Sequence, residues 1–144
     1  MKAFEALEEI SKLGKIEGEV DVGDIKLLMG TLDTEQETDV FAQCADLTGN
    51  AYFYKLKLET VKYSLKAVNK ERVDDYLKIA KIEEREKAKK ETLEKISSIL
   101  KKWDENVISY LYSEWSKLAK KSEEVLKAKG ISQDNEDVQK TSEK

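Results

Sequence analysis

One stretch of the chain, residues 50–129, contains neither glycine nor proline, and it constrains the fold more than any other feature. Glycine and proline are the residues that most often interrupt regular structure, and the 144-residue sequence has no proline at all. Nothing in this stretch therefore breaks a helix by removing a backbone donor, and its length favours helix strongly. The six glycines lie outside it, in or beside segments that we interpret as strand, turn or helix end.

The first thirty residues are predicted to form a helix and then a β-hairpin. Residues 2–13 carry a one-sided apolar stripe at helical spacing, and Gly14 stands where that helix would end. The stripe consists of Phe4, Leu7, Ile10 and Leu13. Residues 15–30 instead alternate apolar and polar side chains on either side of the turn residues Gly23 and Asp24, which predicts two paired strands. The apolar face of this hairpin would be made by Ile16, Val20, Val22, Ile25, Leu27 and Met29.

Two helices are predicted after the hairpin, over residues 35–48 and 52–67. Residues 34–37 have the spacing of a capping box that opens the first of them. One face of that helix would carry Val40, Phe41, Cys44 and Leu47. The start of the second helix, residues 52–58, also alternates as a strand would, so both interpretations stay open there. A short strand pair around Asn69 and Lys70 also fits the pattern.

Two long helices are predicted from residue 74 to about residue 128. Asp74 and Asp75 suit the N-terminus of the first, and the mixed charges of residues 83–91 suit a solvated face. Further along, the first helix carries an apolar seam of Leu93, Ile96, Leu100 and Trp103. Residues 104–106 are expected to begin the second helix, and Gly130 is expected to end it. One face of the second helix would carry Val107, Leu111, Trp115 and Leu118 as core residues.

The predicted fold class is thus α+β and mainly α, with a small N-terminal β-hairpin plus helices followed by two long C-terminal helices. We divide the chain into a small mixed domain over residues 1–73, a helical extension over residues 74–130 and a polar tail over residues 131–144. A hairpin alone is marginally stable in water, so the helices are expected to cover its apolar face.

The amino-acid composition argues against several classes of function. Twenty-six basic and thirty acidic residues are interleaved and give a net charge of −4, so the basic stripe of a nucleic-acid-binding protein is missing. No apolar run reaches the roughly 18 residues of a membrane span. The sequence has no histidine to act as a general base or metal ligand, and Cys44 is expected to be a small core residue. We therefore expect no catalytic residue, no metal, no cofactor, no membrane and no nucleic acid.

Residues 107–118 contain three aromatic rings, and two of them are candidate partner-binding residues. Helical geometry places Tyr112 about 200° from Tyr110, so the rings do not all lie on one side. Trp115 belongs to the predicted core face, whereas Tyr112 and Tyr110 can face outward, toward a partner. Trp103 is the third candidate, because large aromatic residues are enriched at interface hot spots.

Three segments of the sequence resemble phage tail assembly chaperones and baseplate-hub proteins of tailed phages. Residues 31–37 resemble the "L-T-x-x-E-E" step after the first strands of those proteins. Residues 56–69 resemble their "L-E-T-L-A-x-x-I-x-x-V-N-G" segment, with Lys70 where the family has glycine. Residues 100–118 are similar to their "L-x-x-W…V-I-x-x-L-Y-x-x-Y-x-x-L" helix. The resemblance covers about residues 16–120 and implies a structural or assembly role without a catalytic site.

The expected function is accordingly that of a bacteriophage tail or baseplate protein that acts through protein–protein contacts. Its expected partners are other tail or baseplate proteins, with a homo-oligomer as a further expectation, and its expected location is the virion or the infected host cytoplasm. The alternative is a helical adaptor or coiled-coil dimer unrelated to phage that pairs through the seam from Leu93 to Trp103. A small enzyme is the least favoured function.

Overall fold

The computed structural model describes residues 2–131, and it confirms an α+β fold that is mainly helical. The predicted polar tail lies outside the described residues, apart from Ile131. The elements in chain order are α1 (Ala3–Ser11), β1 (Glu17–Val22), β2 (Ile25–Gly30), α2 (Thr34–Cys44), α3 (Gly49–Ser64), β3 (Leu65–Val68), β4 (Glu71–Arg72), a 3-10 helix (Asp75–Lys78), α4 (Ile82–Leu100) and α5 (Glu105–Ala128).

The four strands form one antiparallel sheet in the order β1-β2-β3-β4. The predicted hairpin is its first half, in which Val20 lies opposite Leu27 across the turn at Gly23. The second hairpin confirms the strand pair expected around Asn69 and Lys70. Both of these residues have positive φ, 48° and 71°, as a two-residue hairpin turn requires.

The ends of α2 and α3 differ from the prediction. The capping box of α2 is formed one residue earlier than expected, by Asp33 and Gln36, because the Asp33 carboxylate accepts a hydrogen bond from the Gln36 amide at 2.8 Å. Helix α2 ends at Cys44 and not at residue 48, and α3 begins at Gly49, so the strand interpretation of residues 52–58 is wrong. Helix α3 ends at Ser64, whereas the prediction continued to residue 67. Residues 65–68 leave the helix because they pair with β2 as strand β3, and this pairing outweighs the helical spacing of their side chains.

Helix α4 begins at Ile82, so the predicted start at Asp74 and Asp75 is wrong. Asp74 is instead a buried partner of Arg72, whose guanidinium donates to both carboxylate oxygens at 2.9 and 2.8 Å. A carboxylate engaged in this way does not cap a helix, and Asp75 opens only the short 3-10 helix. The predicted start of α5 is confirmed, since the Asp104 side chain accepts from the Asn106 amide at 2.8 Å.

The core lies between one face of the sheet and helices α3, α4 and α5. It combines residues from both sides of the domain boundary predicted after residue 73. Its buried members are Val20, Leu27, Met29, Val61, Leu65, Leu100, Ile108 and Leu111. The predicted core face of α5 is half-buried at Val107, Trp115 and Leu118 and fully buried at Leu111. The division into domains after residue 73 stays a prediction, but the two long helices share a core with the sheet.

The segment that follows α1 lies against the C-terminal part of α5. Ser122 of α5 donates a hydrogen bond to the carbonyl of Gly14, and the Leu126 side chain lies against the same glycine. Gly130 has a φ of +82°, and the Ile131 amide donates to the Leu126 carbonyl at 2.8 Å, which ends α5 as predicted. Among residues 2–131 there is no helix both long and apolar enough to span a bilayer.

Candidate protein-binding groove

An apolar groove of about 450 Å³ lies where the end of α4 and the start of α5 meet the tip of the first hairpin. We call it the corner groove. It is lined by Val22, Ile25, Leu27, Leu65, Val68, Val73, Ile96, Ile99, Leu100, Trp103, Asp104 and Val107. Only Asp104 among these is polar, and its carboxylate already accepts from the Asn106 amide. The groove is within the size range of sites that bind ligands or side chains from a partner.

The floor and the walls of the corner groove differ in exposure. Leu27 and Leu100 are buried core residues and form part of the floor. Ile25 at the hairpin tip and Ile99 on α4 are 46% and 49% exposed. Apolar side chains that line a concave site and remain open to solvent are the ones that gain most from contact with another apolar surface.

Trp103, one of the predicted partner-binding residues, lines the corner groove and is half-buried. The same indole lines a second cleft of about 460 Å³, in which Tyr54 of α3 and Ile108 of α5 lie beside the charged residues Lys57, Lys101 and Glu105. Trp103 is therefore shared by the apolar corner groove and a neighbouring cleft of mixed character. This position suits an aromatic anchor, although its role in binding stays a prediction.

The structure does not bring the other two predicted residues to the corner groove. Tyr110 is 44% exposed, and its hydroxyl donates to the backbone carbonyl of Asp21 at 3.1 Å, which ties α5 to edge strand β1. Tyr112 is half-buried and packs against the core, with its ring centroid 5.6 Å from that of Trp115. Tyr112 was expected to face outward, but it lies against the core. The rotation of about 200° between Tyr110 and Tyr112 places Tyr112 on the side of α5 that faces the rest of the protein. The role of both residues in binding stays a prediction.

Most residues that line the corner groove were predicted as members of apolar faces, but the groove that they form together was not predicted. Ile25 was assigned to the covered face of the hairpin, yet it projects beyond the helices at the tip. Ile99 was not part of the predicted seam, and Val73 was not assigned to any apolar face. The adjacent residues Ile99 and Leu100 could have indicated this apolar wall. Two neighbouring apolar residues on a helix make its apolar stripe too wide to be covered by a single contact.

A second, charged basin lies between α2, α3 and α4, and buried ion pairs occupy its floor. Glu59 is 1% exposed, and its Oε1 lies 3.2 Å from the Lys55 ammonium. Its Oε2 forms an ion pair with Lys62 that lacks the angles of a hydrogen bond. Buried charges of this kind persist only when they are paired, so the basin is explained by internal contacts.

Two groups beside this basin are held in their neutral form. Burial raises the pKa of Tyr63 to about 12, and the nearby carboxylates of Asp39 and Glu59 add to the effect. Burial likewise raises the pKa of the Cys44 thiol, followed by a smaller effect of Glu59. Cys44 is fully buried, as expected of a small core residue. No group of three or more His, Cys, Asp or Glu side chains within residues 2–131 is arranged to hold a metal ion.

Comparisons of the chain with models of protein families, with curated proteins and with solved structures find no match.

Proposed function

We propose that the protein is a non-catalytic assembly component that binds another protein through the corner groove. The resemblance of residues 16–120 to tail assembly and baseplate-hub proteins supports a tail or baseplate protein of a tailed bacteriophage as the partner. Under this proposal the protein works in the virion or in the infected host cytoplasm.

The observation that carries the proposal is the composition and openness of the corner groove. Eleven of its twelve lining residues are apolar, and Ile25 and Ile99 are half exposed at its edge. Protein interfaces have a core depleted of charged residues and enriched in aromatic anchors, and Trp103 supplies such an anchor here. A partner that inserts apolar side chains would bury both the floor and the walls.

The alternative, a coiled-coil dimer through the seam of α4, has less support. Leu100 of that seam is 1% exposed and belongs to the core, and Ile96 packs against the same core. A coiled coil places its seam residues against the partner helix, so pairing through these two residues would first require that α4 leave the sheet. Contact with a different protein at the corner groove requires no such rearrangement.

The test is co-expression with the products of the genes that flank this one, followed by affinity capture. Ile99→Lys places a charge on the groove wall, and its 49% exposure makes it tolerable to the fold. Leu77→Lys is the matched control, because Leu77 is 61% exposed and does not line the groove. We expect capture of a tail or baseplate protein by the wild type and the control and loss of capture by Ile99→Lys. Equal capture by all three proteins would place the binding site elsewhere.

A further inference from the structure

Helix α1 carries an apolar stripe that the described part of the chain leaves uncovered. Phe4, Leu7 and Ile10 are 80%, 59% and 60% exposed, and the helix contains no buried residue. A nine-residue helix is shorter than the roughly 12–15 residues at which isolated helices become even marginally stable in water. The stripe therefore points to a contact that stabilises the helix. Residues 132–144 are poorly suited to supply it, because Val138 is their only large apolar residue.

The corner groove has the properties that an amphipathic helix requires of its binding site. In this mode of recognition, side chains about one turn apart enter an apolar groove, and the three stripe residues of α1 are spaced at three-residue intervals. The groove offers a buried floor at Leu27 and Leu100 and open walls at Ile25 and Ile99. Both surfaces belong to the same chain, and each is apolar.

The two surfaces lie too far apart to meet within one molecule. Gly14, just after α1, contacts Leu126 near the end of α5, whereas the groove includes Val107 near its start. These two positions on α5 are separated by about 28 Å at 1.5 Å per residue. The helical residues 4–11 rise about 10 Å, and a fully extended segment from residue 11 to residue 14 adds only about 10 Å more. Helix α1 can therefore reach the groove of another copy but not its own.

The charges beside α1 and on the α4 side of the corner groove are complementary, whereas Asp104 in the groove lining is acidic and accepts from the Asn106 amide. Glu5, Glu8 and Glu9 flank the stripe of α1. Lys95 lies one turn before Ile99 on α4, and Lys102 follows the end of the helix, where its backbone amide donates to the Ile99 carbonyl at 3.1 Å. A membrane surface is a poorer partner for α1, since helices that bind anionic lipids carry mainly lysine and arginine on their polar face.

We infer that α1 of one copy docks in the corner groove of a second copy, with the stripe of Phe4, Leu7 and Ile10 against Ile25, Ile99 and Trp103. This inference rests on the proposed function in one respect, namely that the corner groove is a protein-binding site, and α1 of a second copy competes there with the proposed partner. The contact is head to tail, because the helix and the groove lie at opposite ends of α5. Repetition of a head-to-tail contact builds a ring or an open filament.

A disulfide trap tests the contact directly. In a Cys44→Ala background, one protein carries Leu7→Cys and a second carries Ile99→Cys, and the two are mixed under mild oxidation. We expect a disulfide-linked heterodimer, and we expect none when the second protein carries Leu77→Cys at an exposed site outside the groove. Absence of the Leu7–Ile99 product would overturn the inference, and so would preferential linkage of Leu7 to Leu7, which would mean that α1 pairs with α1.

Light scattering over a range of concentrations provides a second measurement on the full chain. We expect the mass of the wild type to rise with concentration, and Leu7→Glu to weaken the association roughly tenfold or more, as loss of one buried leucine contact would. A wild type that stays monomeric and instead binds vesicles containing anionic lipid through α1 would overturn the inference.

The two proposals can fail separately. If the protein captures a flanking-gene product through Ile99 but forms neither the disulfide nor larger species, the proposed function stands and the head-to-tail contact does not. If the disulfide forms and no flanking-gene product binds, the self-association stands and the proposed partner class does not.

Discussion

Replacement of Leu111 by alanine tests whether the long helix α5 belongs to the same core as the sheet. The Leu111 side chain is fully buried in a cluster with Val20, Leu27 and Leu100. Replacement of a buried leucine by alanine loses the free energy gained when its methyl groups left water, and it also leaves a cavity. Together these two effects cost about 3–4 kcal/mol at a site with little room to collapse. That is a large fraction of the 5–15 kcal/mol typical of a folded domain.

The assay is urea unfolding at equilibrium, followed by circular dichroism and by tryptophan fluorescence in parallel. We expect Leu111→Ala to lower the free energy of unfolding by the stated amount and the melting temperature by about 10 °C. Leu77→Ala at an exposed site is the control, with an expected loss of about 0.5 kcal/mol or less. The two probes should give coincident transitions if the chain has one core. A loss below about 1 kcal/mol, or two separate transitions, would refute the shared core.

Three further tests address other parts of the fold. The folded protein favours the neutral phenol of Tyr63, because its pKa is raised to about 12. The resulting contribution to stability is complete below a pH of about 10 and declines as pH rises to about 12. Tyr63→Phe should therefore flatten the pH dependence of the free energy of unfolding in urea over this range, and an unchanged slope would contradict the raised pKa of Tyr63. Cys44, fully buried and with a raised thiol pKa, should react with a thiol reagent only as fast as the protein opens, and rapid labelling in native buffer would count against its position. Lys70 has a φ of 71°, so Lys70→Gly should raise the free energy of unfolding by about 1 kcal/mol while Lys70→Ala should not, and equal effects would rule out backbone strain.

The local elements of the fold could be predicted largely because their signals are local. The N-cap at Asp104, the glycine end at Gly130 and the turn at Gly23 each depend on a few adjacent residues, and the structure has them where the sequence placed them. The predictions were wrong where contacts with residues distant in the sequence determine the local structure. Residues 65–68 have helical spacing but pair with β2, and Asp74 resembles a helix start but is buried against Arg72.

The corner groove could not be predicted, because its lining comes from segments far apart in the chain. Periodicity identifies the apolar faces of single elements. It does not show which of these faces pack against each other or which part of a face remains exposed to solvent. Ile25 and Ile99 share the groove although they lie 74 positions apart, and each appears on its own element as an ordinary apolar residue. Trp103 was selected for its residue type, and the structure places it in the groove, whereas the same reasoning selected Tyr110 and Tyr112, which lie elsewhere.

The most direct test of the central claim is the fluorescence of Trp103 during titration with the tail or baseplate protein identified by capture. The sequence has two tryptophans, and Trp115→Phe leaves Trp103 as the single reporter. This replacement removes an indole N–H for which the described residues supply no hydrogen-bond acceptor. If the partner enters the corner groove, the emission should shift to shorter wavelength and become less accessible to a soluble quencher. Saturable binding with unchanged Trp103 emission and quenching would contradict the claim.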